Sequence, residues 1–234
     1  MTLSLVCLPF AGSGAGFYRA WKKLEVAGVD VVPLQLPGRE ERFIDPPHSD
    51  VATAALELAA DAMRLTKDKE HVALFGHSLG AVLAFETARA LLAQGHPTLR
   101  ALFVSGSPGP WTGRTHRATG LDDDAFLARV NEFAGYRHAA FDDPDMRELL
   151  LPLLRADVAM HEDYRPADDR PLDLPVTALR GAEDRLVSAA DSAQWAAATA
   201  GTFTAHEFPG GHMYLTESAT ALLEFTAGAV AEGR

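Results

Sequence analysis

The sequence predicts an α/β protein built on a mostly parallel sheet with helices on both of its faces. Short apolar runs such as 3–8 and 29–36 alternate with helical segments, and parallel strands that are covered on both faces are apolar along their length. The alternation stops between about 111 and 171, where only helical segments can be recognised, and then returns. We therefore expect one core made of residues 1–110 and 172–234, interrupted by a helical insertion over 111–171.

Composition limits the classes of partner. Lys and Arg number 21 against 32 Asp and Glu, so the net charge of −11 argues against nucleic acid or an anionic membrane as the main partner. Hydrophobic residues make up 47% of the 234, as in ordinary globular proteins, and no apolar stretch approaches the ~20 residues of a membrane span. Cys7 is the only cysteine and no secretion signal is recognisable, so we expect a cytoplasmic protein without an internal disulfide.

The first predicted strand, 3–8, ends in the glycine-rich stretch 9–16. Glycines allow a backbone to approach a ligand closely, so this loop can either cradle a phosphate or donate a backbone N–H to an anionic oxygen. The glycine spacings of nucleotide-binding loops are missing, and this favours the second interpretation.

The next elements follow from periodicity and turn residues. A short helix is predicted over 17–26 with Trp21 and Leu24 turned inward, a strand over 29–36, and an amphipathic helix over 51–65. The charges that follow the Pro-Gly turn at 37–38 are interpreted as a solvated loop with local ion pairs.

A Gly-x-Ser-x-Gly turn centred on Ser78 joins the apolar run 71–75 to a helix predicted over 79–94. An ordinary strand-to-helix turn is the alternative, but strand, sharp turn and helix together are typical of the nucleophile elbow of α/β-hydrolases. In that fold the loop after the first such strand and the residue after the nucleophile donate N–H groups to the oxyanion. Ala11 and Leu79 are the predicted donors.

The insertion is predicted to contain two main helical segments. One covers 122–134 with apolar residues on one face, and the other opens at 143–144, with Pro152 expected to kink or restart it. Hydrolases of this fold carry a lid at this place, and its apolar residues either pack or line an acyl pocket. The predicted substrate-binding residues are Phe10, Phe126, Phe133, Met160 and Met213.

A serine nucleophile needs a histidine base that a carboxylate orients. His212 follows the last predicted strand after a Gly-Gly pair, and Asp184 follows the penultimate strand, in the order Ser, acid, His of this fold. Glu183 is the alternative acid. His77 lies inside the elbow and is expected to pack or hydrogen-bond beside the nucleophile.

With Ser78, Asp184 and His212 placed, the sequence resembles the type II thioesterases of polyketide synthase and nonribosomal peptide synthetase pathways, and the resemblance extends over nearly the whole chain. Two departures are an interrupted glycine pattern at 13–16 and alanine at 182, where the family more often has aspartate. The matching segments are Leu-Pro-Phe-Ala-Gly at 8–12, Gln-Leu-Pro-Gly-Arg-Glu-Glu-Arg at 35–42, Gly-His-Ser-Leu-Gly-Ala at 76–81, Leu-Leu-Arg-Ala-Asp at 153–157 with Glu162 and Tyr164, Gly-Ala-Glu-Asp at 181–184 and Gly-Gly-His at 210–212.

The resemblance implies a trans-acting enzyme that hydrolyses acyl groups from the phosphopantetheine thiol of acyl or peptidyl carrier proteins. It implies no cofactor, no metal, no nucleic acid and no membrane. Since carrier proteins are typically acidic, Arg114 and Arg117 at the start of the insertion are the predicted docking cations. A carboxylesterase or lipase acting on small esters, a medium-chain acyl thioesterase, and a non-catalytic protein that has kept the fold remain as alternatives.

Overall fold

The computed structural model describes residues 2–113, 117–135 and 139–232. Six strands form one sheet in the order β2-β1-β3-β4-β5-β6, and each of the neighbouring pairs is parallel. The predicted mostly parallel sheet is confirmed. The strands are β1 (Leu3–Leu8), β2 (Val29–Pro33), β3 (Val72–His77), β4 (Leu99–Ser105), β5 (Val176–Gly181) and β6 (Phe203–Phe208).

Helices cover both faces of the sheet. One apolar cluster joins α2 and α3 to one face, and a second joins α1, a following 3-10 helix and α7 to the other. The two clusters take alternate residues of each strand, as the two-residue period of a strand requires. The helices are α1 (Ala15–Arg19), α2 (Val51–Thr66), α3 (Leu79–Ala93), α4 (Asp123–Ala134), α5 (Pro144–Asp163), α6 (Ala189–Ala193) and α7 (Ala219–Glu232).

Strand register brings three loops together at one edge. Leu8 at the end of β1 lies opposite Gly76 of β3, and His77 lies opposite Ser105 at the end of β4. Because parallel strands end at the same edge, the loops that follow these residues meet there. That edge is where a site is expected.

Two predictions for the first elements of the chain differ from the structure. The helix predicted over 17–26 is α1 followed by a 3-10 helix, Ala20–Leu24; Trp21 is buried, but Leu24 is 41% exposed, because the helix ends there and Glu25 takes a left-handed backbone (φ 48°). β2 ends at Pro33 rather than at 36, since the chain leaves the ladder after Leu34 donates to the Cys7 carbonyl (2.9 Å).

Only helices occur among the described residues between 111 and 171: α4, a 3-10 helix (Ala139–Asp142) and α5. Pro152 was expected to kink or restart α5; the helix continues through this residue over its 20 positions, so Pro152 does not restart it. A third apolar cluster, separate from the two on the sheet, joins α4 and α5 around Ala118, Phe126, Leu127, Leu151 and Leu154. No helix in the described ranges has the length and apolar character needed to cross a bilayer.

Candidate active site

Ser78 stands between β3 and α3 in a strained backbone conformation, with φ 53° and ψ −116°. A Cβ at Gly76 would overlap the carbonyl oxygen of Gly80, and a Cβ at Gly80 would lie 2.7 Å from the Leu8 carbonyl oxygen. Glycine at both positions is therefore a steric requirement of this turn. Ser78 is also the N-cap residue of α3, yet its side chain makes no capping hydrogen bond.

His212 donates from Nδ1 to Asp184 Oδ2 over 2.8 Å, and both side chains are buried. This bond leaves Nε2 of the imidazole to act as the proton acceptor. His212 and Ser78 line the same cavity. The structure thus brings together the three residues that sequence reasoning singled out.

Burial alone would raise the pKa of Asp184. The hydrogen bond and the charge of His212, together with the N–H groups of Leu186 (2.8 Å) and Val187 (3.1 Å), outweigh burial and hold the pKa below its usual value. Glu183 instead accepts from the Gly210 N–H, so it fixes the loop that carries His212. The geometry favours Asp184 over Glu183 as the orienting acid.

His77 lies behind His212, with the two rings 4.7 Å apart. Its Nδ1 is hydrogen-bonded to Ser105 Oγ (2.9 Å), and that hydroxyl is hydrogen-bonded to Tyr214 (2.8 Å). Glycine at 106 is required here, because a Cβ would overlap the His77 ring and lie 3.1 Å from that of His212. His77 packs and hydrogen-bonds beside the reacting groups.

Ala11 lies in a tight turn and lines the cavity. Ser13 Oγ accepts from the Phe10 N–H (2.9 Å) and donates to the Phe10 carbonyl (2.8 Å), while Gly12 is left-handed (φ 76°). The Leu79 N–H is the first backbone N–H of α3, at the positive end of the helix dipole. Within the described residues neither the Ala11 nor the Leu79 N–H donates to another group, so both remain available to an anionic oxygen.

Sequence reasoning missed a buried ion pair beside this turn. Arg39 was expected in a solvated loop, but it is 6% exposed and forms two parallel bonds to Asp157, at 2.7 and 2.8 Å. Asp157 Oδ2 also accepts from the Gly12 N–H (2.8 Å). The other charges of the segment do make surface ion pairs, of Glu40 and Glu41 with Arg19, and of Arg42 with Asp45 and Glu57.

The cavity has a volume of about 350 Å³ and is lined mainly by apolar side chains. Of the predicted substrate-binding residues, Phe10, Phe133 and Met213 line it. The prediction is corrected for Phe126, which is 1% exposed in the small core of the insertion beneath the Arg155 guanidinium, and for Met160, which packs in the core beside α3. Apolar lining residues that sequence reasoning did not single out are Phe17, Val130, Phe141, Leu150, Leu153, Leu154, Val158 and Leu186, and the polar residues Asn131, His161 and Glu162 also line the cavity.

The predicted docking pair is described only in part. Arg114 lies outside the described residues. Arg117 is half-exposed and is bound to the Asp163 carboxylate, with its Nε 3.5 Å from Glu162. Its charge is therefore already partly neutralised by the chain itself.

Comparison with known proteins gives one consistent result. Residues 4–229 match the family model described as "Thioesterase domain". A probable cadicidin biosynthesis thioesterase from Streptomyces griseus is 36% identical over 218 residues, covering 93% of this chain and 60% of that protein, so this chain spans three fifths of its length. Thioesterase PikA5 from Streptomyces venezuelae is 34% identical, covering 91% of this chain and 75% of that protein. The solved structure of the RedJ thioesterase, from the prodiginine biosynthetic pathway in Streptomyces coelicolor, superposes with a TM-score of 0.86 at 35% identity, covering 97% of this chain and 85% of that one.

Proposed function

Since this chain belongs to the thioesterase domain family, we propose that it is a trans-acting type II thioesterase, which hydrolyses acyl groups from the phosphopantetheine arm of carrier proteins in polyketide or nonribosomal peptide synthesis. The relatives support this assignment, because the Streptomyces griseus protein is a probable biosynthesis thioesterase and RedJ is the thioesterase of a biosynthetic pathway. The chain would release stalled or wrongly loaded acyl units so that synthesis can continue.

The reaction is a two-step acyl transfer. Ser78 attacks the thioester carbonyl while His212 Nε2 takes the hydroxyl proton, and Asp184 stabilises the imidazolium that forms. The N–H groups of Ala11 and Leu79 bind the oxyanion. His212 then protonates the leaving thiolate, and in the second step it activates the water that cleaves the acyl-enzyme.

The observation that carries the proposal is the buried hydrogen bond from His212 to Asp184, beside a strained serine that opens into the same cavity. A mainly apolar cavity of about 350 Å³ suits an acyl chain better than a charged substrate. The site therefore supports an acyl ester or thioester as the substrate class.

We assign the insertion, residues 111–171, the role of a cover over the acyl site. Side chains of both α4 and α5 line the cavity, among them Phe133, Leu150 and Leu154. These helices have a small core of their own, while Met160 of α5 and Tyr164, which follows this helix, pack in the core beside α3.

A carrier protein is the proposed partner, and the docking roles of Arg114 and Arg117 remain predictions. The chain and a typical carrier are both acidic, so productive contact needs local cations. The proposed place of action is the cytoplasm, in keeping with a single buried cysteine that is not in a disulfide.

The test compares four substrates at matched concentration: carrier proteins loaded with acyl groups of varied length and branching, the same groups on N-acetylcysteamine, and their p-nitrophenyl and ethyl esters. We expect the highest kcat/KM with the loaded carriers. Preference for the free esters would identify a carboxylesterase instead. Failure of the wild-type protein to react with a fluorophosphonate probe would point to a non-catalytic protein.

A further inference from the structure

The buried pair of Arg39 and Asp157 joins three segments that are distant in the sequence. Arg39 lies in the loop after β2, Asp157 lies on α5 of the insertion, and both bond to the turn that contains Ala11. Asp157 Oδ2 accepts from the Gly12 N–H (2.8 Å), and Arg39 Nη1 donates to the Ser13 carbonyl (2.8 Å). Two side chains that are 0% and 6% exposed thus hold the Ala11–Gly12 peptide and the Ser13–Gly14 peptide of this turn.

Ser13 and the buried pair together fix the Ala11 amide. The Ala11 N–H belongs to the Phe10–Ala11 peptide, whose carbonyl accepts from the Ser13 hydroxyl (2.8 Å) and the Ser13 N–H (2.9 Å), and Arg39 in turn holds the Ser13 carbonyl. On one side of Ala11, Phe10 is held by the hydroxyl of Ser13; on the other side, Gly12 is held by Asp157. Because peptide units are planar, fixing the Phe10–Ala11 unit through Ser13 and the Ala11–Gly12 unit through Asp157 leaves the Ala11 N–H little rotational freedom. A preorganised donor is what an oxyanion hole requires.

The same contact ties that amide to the insertion. Leu154, one turn before Asp157 on α5, has its Cδ1 3.0 Å from the place that a Cβ on Gly12 would occupy. A displacement of α5 therefore removes both the apolar contact and the carboxylate from Gly12.

We propose that Arg39 and Asp157 are positioning residues that hold the Ala11 N–H in the orientation needed for the oxyanion, so that the oxyanion hole is complete only while α5 is seated on this turn. The inference rests on the proposed hydrolase function. A buried ion pair is a poor source of net stability, since desolvation offsets the attraction, but it is suited to specifying one arrangement.

The principal variant is the double substitution Arg39→Met with Asp157→Leu, which removes both charges and leaves neither partner buried alone. We expect a thermal midpoint close to wild type, a kcat lower by about 10²-fold and little change in KM. The affinity of a boronic acid that adds to Ser78 should fall by a similar factor, while that of a thioether analogue of the substrate stays within about two-fold. The single variant Asp157→Asn, which keeps one acceptor oxygen, should lose about ten-fold in kcat.

Tyr164→Phe is the matched control. Tyr164 donates to Glu86 (2.6 Å) and so ties the end of α5 to α3 without touching the Ala11 turn. The kcat of Tyr164→Phe and its affinity for the boronic acid should stay within about two-fold of wild type.

Three outcomes overturn the inference: wild-type kcat in the folded double variant, equal losses of boronic acid and thioether affinity, or an equal loss in Tyr164→Phe. If the double variant does not fold, the affinities of Asp157→Asn for the boronic acid and for the thioether analogue test the inference instead. Failure of the proposed function is recognised separately, because then Ser78→Ala would keep its turnover or the wild type would hydrolyse no acyl ester at all.

Discussion

The carboxyl edge of the sheet and the helical insertion are held in place by different means. At the sheet edge, strand register and close backbone contacts fix the positions of Ser78 and His212. Gly76, Gly80 and Gly181 allow these contacts, because a Cβ at any of them would overlap neighbouring backbone atoms. In the insertion, α4 and α5 pack on each other around their own apolar cluster. Their ties to the rest of the protein are side-chain contacts such as Arg39 to Asp157 and Tyr164 to Glu86.

The difference separates two demands on an acyl hydrolase. Chemistry needs atoms held to within about 0.5 Å, which a backbone fixed by strands can supply. Acceptance of varied acyl groups needs a wall that can adjust, which side chains on a separately packed helix pair supply. Substitutions at the sheet edge should therefore change rate, and substitutions of the side chains of the insertion that line the cavity should change selectivity.

The largest expected effect is at the sheet edge. Ser78→Ala should reduce thioester turnover by at least about 10³-fold, because the attacking oxygen is lost. Circular dichroism and carrier binding should remain as in wild type, since the hydroxyl makes no helix-capping bond. If Ser78→Ala turned over substrate at close to the wild-type rate, the nucleophile would be another residue, and the comparison of the sheet edge with the insertion would lose its basis.

A neighbouring pair of carboxylates makes the comparison sharper. Asp184→Asn should lower kcat by about 10³-fold or more, because an amide in this place favours the wrong imidazole tautomer. Glu183→Gln should change kcat by only a few-fold, since Glu183 bonds to the Gly210 amide rather than to His212. The reverse ranking in steady-state kinetics would exchange the two roles.

In the insertion, Phe133 and Phe126 form a matched pair on α4. Phe133 lines the cavity, so Phe133→Ala should shift the preferred acyl length several-fold, in kcat/KM across loaded carriers, with a smaller loss of stability. Phe126 is buried away from the cavity, so Phe126→Ala should destabilise by about 3–5 kcal/mol in urea unfolding and leave the acyl preference unchanged. If Phe133→Ala and Phe126→Ala changed the acyl preference equally, the cavity wall and the small core of the insertion would act as one unit.

The smallest expected effect is a change in the free energy of unfolding at acidic pH. The pKa of Asp184 is lower in the folded protein than the ordinary value, so below that ordinary value the unfolded chain binds a proton that the folded chain does not. The stability that this ionised carboxylate contributes is present at neutral pH and is lost as the pH falls through the lowered pKa. In urea unfolding, the advantage of wild type over Asp184→Asn should therefore shrink below about pH 4; a difference that stays constant down to pH 2 would contradict this assignment.

The sheet and its reacting residues were predictable because their signals are local. Apolar runs marked the strands, and Ser78, Asp184 and His212 each follow a strand end, where the fold gathers such groups. The ends of two early elements were misplaced, at Leu24, where 3-10 geometry overrides helical periodicity, and at Pro33, where the chain leaves the ladder before the apolar run ends.

The contacts of the insertion were not predictable in the same way. Arg39 and Asp157 are 118 residues apart, and a charge beside a Pro-Gly turn is ordinarily solvated, so nothing near either residue signals its burial. Phe126 and Phe133 lie on one apolar face of α4, and only the packing of α5 decides which of them lines the cavity. Motif resemblance had marked the Arg39 and Asp157 segments without indicating that they meet.

The uncapped start of α3 affects how this protein responds to selection. A serine at an N-cap ordinarily adds about 1 kcal/mol through its side-chain oxygen, and Ser78 makes no such bond while its backbone is held at φ 53°. Glycine adopts that backbone angle without strain, so Ser78→Gly should raise the melting temperature while removing the proposed nucleophile. A library of this chain enriched for heat resistance alone would thus be expected to lose its activity first at residue 78, where stability and turnover favour different amino acids.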